Sequence, residues 1–287
     1  MCEHKKGRTL DFTADEREDG LDVGSMLRQR GISKRLITKL KRCENGIMLN
    51  GSHIRTIDKV RKGDCLSVYL EDSRSLEANA DINVPVVYED EDVVVFDKPV
   101  NMPVHPSIKH QGDTLGNCFS AMYPDLTFRP INRLDRDTSG LCAVAKNAHS
   151  ANVLQGTLKK VYYAAVCGKI EKDGQIDAPI GRVGDSIIKR EVRPDGQRAV
   201  TDYTIIKGNE KYTLLRIILQ TGRTHQIRVH FSHIGHPLAG DDFYGGDVSN
   251  ITAQALHCGE LEFQSPVTKE TVKVTSPVRN DIEGLFL

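Results

Sequence analysis

The chain has 287 residues, 39% of them hydrophobic and 27% charged, and its 39 basic and 39 acidic residues cancel. That composition excludes a disordered chain, a collagen-like repeat and a disulfide miniprotein, and it suffices for one large domain plus a small one. No run of about 18 apolar residues occurs, and Met1 to Gly20 is charged, without the apolar stretch of a signal peptide. A cytoplasmic protein with no membrane association is expected.

The seven cysteines are all more than twenty residues apart. They offer neither a disulfide framework nor a metal knuckle, and read as small buried hydrophobes.

Residues 1–20 form an N-terminal segment without a predicted element. From Leu21 to Asp72, eleven Lys or Arg face six Asp or Glu. Val23, Met26 and Leu27 have helical spacing with Gly31 at the stop position, and Ser33 is the N-cap for a second helix carrying Leu36, Ile37 and Leu40. Lys34, Arg35, Lys39, Lys41 and Arg42 surround the polar side of that helix. Gly46–Gly51 then reads as a strand ending in an Asn-Gly turn, and Cys65–Leu70 as another strand.

Residues 73–85 are polar and aperiodic and read as a linker. Residues 86–287 open with a hairpin of Val86–Tyr88 and Val93–Phe96, followed by a proline-rich loop. Further strands are expected over Leu141–Ala145, Val161–Val166, Val200–Ile206 and Tyr212–Gln220, with helices over Thr114–Met122, Asn147–Lys160 and Thr224–Ile234. Strands outnumber helices and do not alternate with them regularly. The expected architecture is therefore α+β, with a mixed, mainly antiparallel sheet and flanking helices, plus the small N-terminal α/β module.

Three constellations carry candidate chemistry. Asn132 to Gly140 sets an acid among arginines in a loop closed by glycine and followed by an apolar strand. Leu219 to His230 breaks a strand at Gly222 and begins a helix at once, which offers free N–H groups to a polar ligand. A charged surface turn and a solvated helix start are the plain alternatives. His230, His233 and His236 raise a zinc site, but Gly235 and Pro237 end the helix before His236, and no metal motif accompanies them; no metal is expected.

The motifs Asp97-Lys98-Pro99, Val104-His105-Pro106, Arg133-Leu134-Asp135-x-x-Thr138-Ser139-Gly140, Lys160-x-Tyr162-x-Ala164, Gly222 to Arg228 and Gly235 to Asp241 occur in that order. Together they resemble the RluA family of RNA pseudouridine synthases. The unit over residues 21–72 resembles the alpha-L RNA-binding module. Two positions depart from the family pattern: Asn132 stands where the motif has His, and Asn101 where the proline-rich loop has Gly. Asn still hydrogen-bonds and tolerates positive φ, so both read as altered tuning.

The resemblance implies that Asp135 is the essential carboxylate, attacking the ribose, attacking the uracil ring, or removing a ribose proton. It implies Arg223 as the partner of Asp135 in an ion pair and Tyr162 as the ring beneath the target uracil and a proton acceptor late in the reaction. Arg133 would fill the gap left by the flipped base or hold its flanking phosphate. Leu134, Thr138, Ser139, Gly140, His225, Gln226 and Arg228 complete the substrate-binding set, and Lys34, Arg35, Lys39 and Arg42 contact RNA phosphates. The reaction has no net redox change, so no cofactor is expected. The implied partner is structured RNA, with large-subunit ribosomal RNA preferred over transfer RNA, acted on by a monomer. An RNA-binding assembly factor with a degenerate synthase domain, and a metal-dependent hydrolase, are the alternatives from other classes.

Overall fold

A computed structural model of the chain describes residues 7–43, 45–71, 76–107, 109–184, 186 and 188–287. The first part comprises β1 (Gly7–Thr13), α1 (Val23–Gln29), α2 (Lys34–Leu40), β2 (Ile47–Leu49), β3 (Ser52–His53) and β4 (Cys65–Glu71), with the strands in one sheet ordered β1-β4-β2-β3. Ser33 caps α2 by accepting from the Leu36 N–H, and Asp22 caps α1 through the Ser25 N–H. Asn50 and Gly51 have φ of 49° and 79°. These positive values match a tight hairpin turn to the twist of its strands.

The sheet begins at Gly7 and not at Leu21. β1 lies within the segment read as lacking elements, and pairs antiparallel with β4 from Gly7 against Glu71 to Thr13 against Cys65. Only Leu10 and Phe12 of β1 turn inward, at 3% and 7% exposure, so its apolar signal is two residues deep. Residues 76–85 are likewise no free tether. Leu76, Ile82 and Val84 pack on the main core, and the Asn117 side chain donates to the Glu77 carbonyl at 2.7 Å; residues 73–75 of the expected linker lie outside the described residues.

The second part runs β5 (Val86–Glu89), β6 (Val93–Lys98), α3 (Leu115–Met122), β7 (Ser139–Ala145), α4 (Ala148–Thr157), β8 (Lys159–Cys167), β9 (Gly174–Asp177), β10 (Ile180–Arg182), β11 (Arg190–Val192), β12 (Val200–Gly208), β13 (Tyr212–Leu219), α5 (Gln226–His233), β14 (Leu256–Gln264), β15 (Thr271–Thr275) and α6 (Asn280–Glu283). Among the described residues one large sheet has the order β5-β6-β7-β14-β8-β13-β12-β9, with β15 against β14, and β10 and β11 form a separate hairpin. Among the described residues only β7 and β14 run parallel, His257 opposite Ser139 and Cys258 opposite Gly140. The α+β class with a mainly antiparallel sheet is therefore observed.

Two helices are shorter than their periodicity predicts. The one expected to reach Lys160 stops at Thr157, because Lys159 and Lys160 pair with Glu262 and Leu261 of β14. The one expected over Thr224–Ile234 spans Gln226–His233. Phe96, Phe119, Phe231 and Phe263 are almost wholly buried, each contributing about 1.5–3 kcal/mol relative to exposure. The first part rests on the second through Arg8, which meets Glu91 at 2.9 Å and Asp92 at 3.1 Å.

Candidate active site

The loop before β7 is tied down at three points. Asn132 is buried and uses both ends of its amide, donating to the Leu141 carbonyl and accepting from the Ala143 N–H, both at 2.9 Å. Asn at the place of the family histidine thus pins the loop to the strand it feeds. The Lys98 ammonium, with no exposed surface, donates to the carbonyls of Pro99 and Met102 at 2.8 Å and of Arg136 at 3.1 Å. Burial pushes its pKa down to about 8. Asn101, at φ 57°, supplies the left-handed turn that brings Met102 to Arg136. Gly140 closes the loop with φ 104°; a Cβ there would stand 2.3 Å from the Cys258 carbonyl oxygen of β14.

Facing this loop is the start of α5. His225, the residue before the helix, takes a left-handed conformation (φ 56°, ψ 20°), the kind of backbone strain that persists where surrounding contacts fix it. Its Nδ1 lies 2.8 Å from the Tyr244 hydroxyl and its Nε2 3.8 Å from an Asp135 oxygen. Burial lowers the imidazole pKa, opposed by Asp135. Arg228, three residues on, donates through Nε and Nη2 to both oxygens of buried Asp241, at 2.6 and 2.8 Å, and through Nη1 to Asp135 at 3.1 Å. Its guanidinium also lies 4.8 Å from the Tyr244 ring centre. Although burial works against its charge, the two carboxylates raise its pKa further above the ordinary arginine value.

The ion pair expected between Asp135 and Arg223 is therefore made by Arg228. Arg223 sits on the exposed turn ahead of the helix, and its Nε donates to the Arg198 carbonyl at 3.1 Å. Arg228 lies inside the first helical turn, where the 3.6-residue period aims it at Asp135.

Arg133, Leu134, Asp135, Thr138, Tyr162, Arg223, His225, Gln226 and Arg228 line one cleft, together with Leu219, Ile227 and Leu256. Ser139 and Gly140 do not line it. They lie in β7, where the Ser139 hydroxyl contacts His257 Nδ1 at 2.9 Å and Gly140 faces the β14 backbone. Gln226 touches the cleft, but its amide is spent internally, accepting from the Arg223 N–H and donating to the Val200 carbonyl. Thr138 accepts from the Gln254 side chain.

Tyr162, on β8, is 6% exposed, and burial, with smaller contributions from Cys258 and Asp135, drives its phenol pKa well above 10. The phenol keeps its proton near neutral pH. Arg223 also borders a second cavity, shared with Arg182 and Arg190 of the β10–β11 hairpin.

Of the three histidines weighed as metal ligands, His230 contacts Thr201 and the Ala178 carbonyl, both at 2.9 Å, and His236 contacts the Cys167 carbonyl. Among the described residues no cluster of His, Cys, Asp or Glu could hold a metal. Lys34, Arg35, Lys39 and Arg42 are exposed on and just after α2. Sequence reasoning missed Lys98 and Asp241 as site residues although both lie within the quoted motifs. The available signal was that each closes an apolar stretch, Val93–Phe96 before Asp97-Lys98 and Leu238–Ala239 before Gly240-Asp241, where an ionisable group is buried only when partnered.

A family profile described as RNA pseudouridylate synthase matches residues 92–233. The chain is 39% identical over 268 residues to an uncharacterized RNA pseudouridine synthase, YjbO, of Bacillus subtilis, covering 89% of this chain and 95% of the relative. It is also 39% identical over 264 residues to the ribosomal large subunit pseudouridine synthase D of Pseudomonas aeruginosa, covering 84% and 82%. Among solved structures, human RNA pseudouridylate synthase domain containing 1 superposes with a TM-score of 0.58 at 27% identity, covering 70% of this chain and 86% of that one. No helix among the described residues is long and apolar enough to cross a membrane.

Proposed function

The chain belongs to the RluA family of RNA pseudouridine synthases, and we propose that it isomerises specific uridines of large-subunit ribosomal RNA, with Asp135 as the essential carboxylate. The observation that carries the catalytic assignment is the Asp135–Arg228–Asp241 chain of contacts. A carboxylate that must be ionised yet poorly hydrated needs a fixed cation beside it, and Arg keeps its charge when buried. Asp241 holds that guanidinium in place through two hydrogen bonds.

The target uridine leaves its stack at a cost of a few kcal/mol, which backbone contacts offset. Its base enters the cleft against the Tyr162 ring. The bond between N1 and the ribose anomeric carbon breaks, the uracil turns, and a bond forms from ring carbon 5 to the same ribose carbon. The hydrogen leaving carbon 5 is balanced by the one gained at N1. Asp135 serves as the carboxylate in whichever of the three routes operates. Arg223 and Arg133, both exposed at the cleft mouth, hold the flanking phosphates, while Thr138 and Gln226 shape the walls and Ser139 and Gly140 fix β7 against β14 behind them.

The names of the curated relatives support ribosomal RNA as the target, and the exposed cations on and just after α2, Lys34, Arg35, Lys39 and Arg42, suit phosphate contacts by the N-terminal module, whose sheet begins at Gly7. The protein is proposed to act as a monomer in the cytoplasm.

The test is pseudouridine mapping of ribosomal and transfer RNA from cells carrying the wild-type protein, Asp135→Asn, or no protein. The expected result is a large-subunit site lost in both the variant and the deletion. Loss confined to transfer RNA overturns the target, and a site retained by Asp135→Asn overturns the role of the carboxylate.

A further inference from the structure

We infer that Phe243 is a stacking platform for an unpaired base next to the target uridine, forming with the β10–β11 hairpin a nucleotide subsite beside the catalytic cleft. The inference deepens the reading above and rests on it. Phe243 belongs to a short 3-10 turn, Asp242–Tyr244. That turn directly follows Asp241, the anchor of Arg228, and Phe243 is 40% exposed. Lone exposed apolar residues are ordinary on protein surfaces, so the case rests on what surrounds this one.

The ring stands edge-on to His225 at 6.2 Å and to Tyr244 at 5.1 Å between centroids, and Arg228 lies 5.9 Å from its centre. His225 and Arg228 are the two side chains that approach Asp135. An aromatic surface one residue removed from the reacting carboxylate is thus open to solvent. The Lys189 ammonium sits 5.6 Å from the same ring centre, on the hairpin that also presents exposed Arg182. The next residue, Arg190, ties the hairpin to this turn, its N–H donating to the Tyr244 hydroxyl at 3.2 Å.

A flat apolar ring with the exposed Lys189 ammonium over it matches a nucleotide: the base takes the place of the ammonium on the ring, and the phosphate has charge for the displaced Lys189 and for Arg182. Stacking on aromatic side chains is how proteins hold splayed-out RNA bases, and it tolerates every base. The neighbours of a flipped uridine have lost a stacking partner, so a ring at this distance can replace it.

The experiment uses the full chain with Phe243→Ala, Phe243→Leu and Phe243→Tyr, assayed on transcribed large-subunit ribosomal RNA. The expected result is a KM raised about tenfold by Ala and Leu and restored by Tyr, with kcat within about twofold, in line with the strength of base stacking. In a second arm, ultraviolet crosslinking of wild-type protein to total RNA is read by peptide mass spectrometry, and a nucleotide adduct is expected on the peptide carrying Phe243. Unchanged KM in Phe243→Ala, or an adduct map that leaves this peptide unmodified, overturns the subsite. If the wild type converts no uridine in ribosomal RNA but the peptide crosslinks to transfer RNA, the target assignment falls and the subsite stands.

Discussion

Arg228 holds Asp135 with the one guanidinium nitrogen that Asp241 leaves over. The contact to Asp135 is 3.1 Å, and those to Asp241 are 2.6 and 2.8 Å. Asp241 is 2% exposed, so Arg228→Ala strands a buried carboxylate as well as releasing the catalytic one. The expected loss is about 3–5 kcal/mol of stability together with all measurable conversion. Asp135→Asn, by contrast, should abolish conversion while urea unfolding and RNA binding stay near wild type. Parallel unfolding curves and turnover assays separate the two.

Arg223 should behave differently from Arg228. It is exposed and contributes one hydrogen bond to the Arg198 carbonyl, worth about 1 kcal/mol. Arg223→Ala is expected to raise KM severalfold, with a smaller effect on kcat and a modest change in unfolding midpoint. A kcat loss equal to that of Arg228→Ala would place Arg223 on the reacting carboxylate after all.

Lys98 makes a prediction about pH with opposite signs for stability and rate. Its folded pKa of about 8 lies below the ordinary 10.5, so the unfolded chain binds the proton more tightly. The cost of burying the charge is complete below about 8 and disappears towards 10.5, so this residue's contribution to stability rises by roughly 3 kcal/mol across that window. Losing the same proton leaves two N–H donors for three carbonyls, those of Pro99, Met102 and Arg136, the last next to Asp135, and kcat is expected to fall above pH 8. Lys98→Met should be slower at neutral pH and lack both trends, as urea titrations and rate profiles between pH 7 and 10 would reveal.

Gly140 accepts no side chain. Its φ of 104° and the 2.3 Å approach to the Cys258 oxygen make Gly140→Ala expensive twice over, by backbone strain and by overpacking, for about 3 kcal/mol or more. Calorimetry should show Tm lowered by roughly 10 °C.

The sequence reveals most clearly what depends on local periodicity or turn chemistry. Ser33, the Asn50–Gly51 turn and the helix begun by Thr114 all form where their side chains predict. It conceals what depends on distant partners. β14 carries His257 and Gly259 within Leu256–Gln264, and a Cβ at Gly259 would meet the Tyr163 ring at 2.5 Å. Neither residue favours a strand on its own, so the half of β14 that lies between the two parts of the site reads weakly, while the alternation of Glu260, Leu261, Glu262 and Phe263 beyond it is a strand signal that sequence reasoning missed. The same holds for the choice between Arg223 and Arg228: both lie in one motif, and only the end of β13 and the left-handed turn at His225 decide which reaches Asp135.

Asp135 precedes β7 and Tyr162 lies on β8, yet these strands never touch; β14 separates them and pairs with both. A nascent chain that has emerged as far as Asp241 therefore holds every residue assigned to the chemistry and still lacks the spacer that sets carboxylate and ring at working distance. During synthesis the catalytic centre is thus complete only after residue 264 has cleared the ribosome.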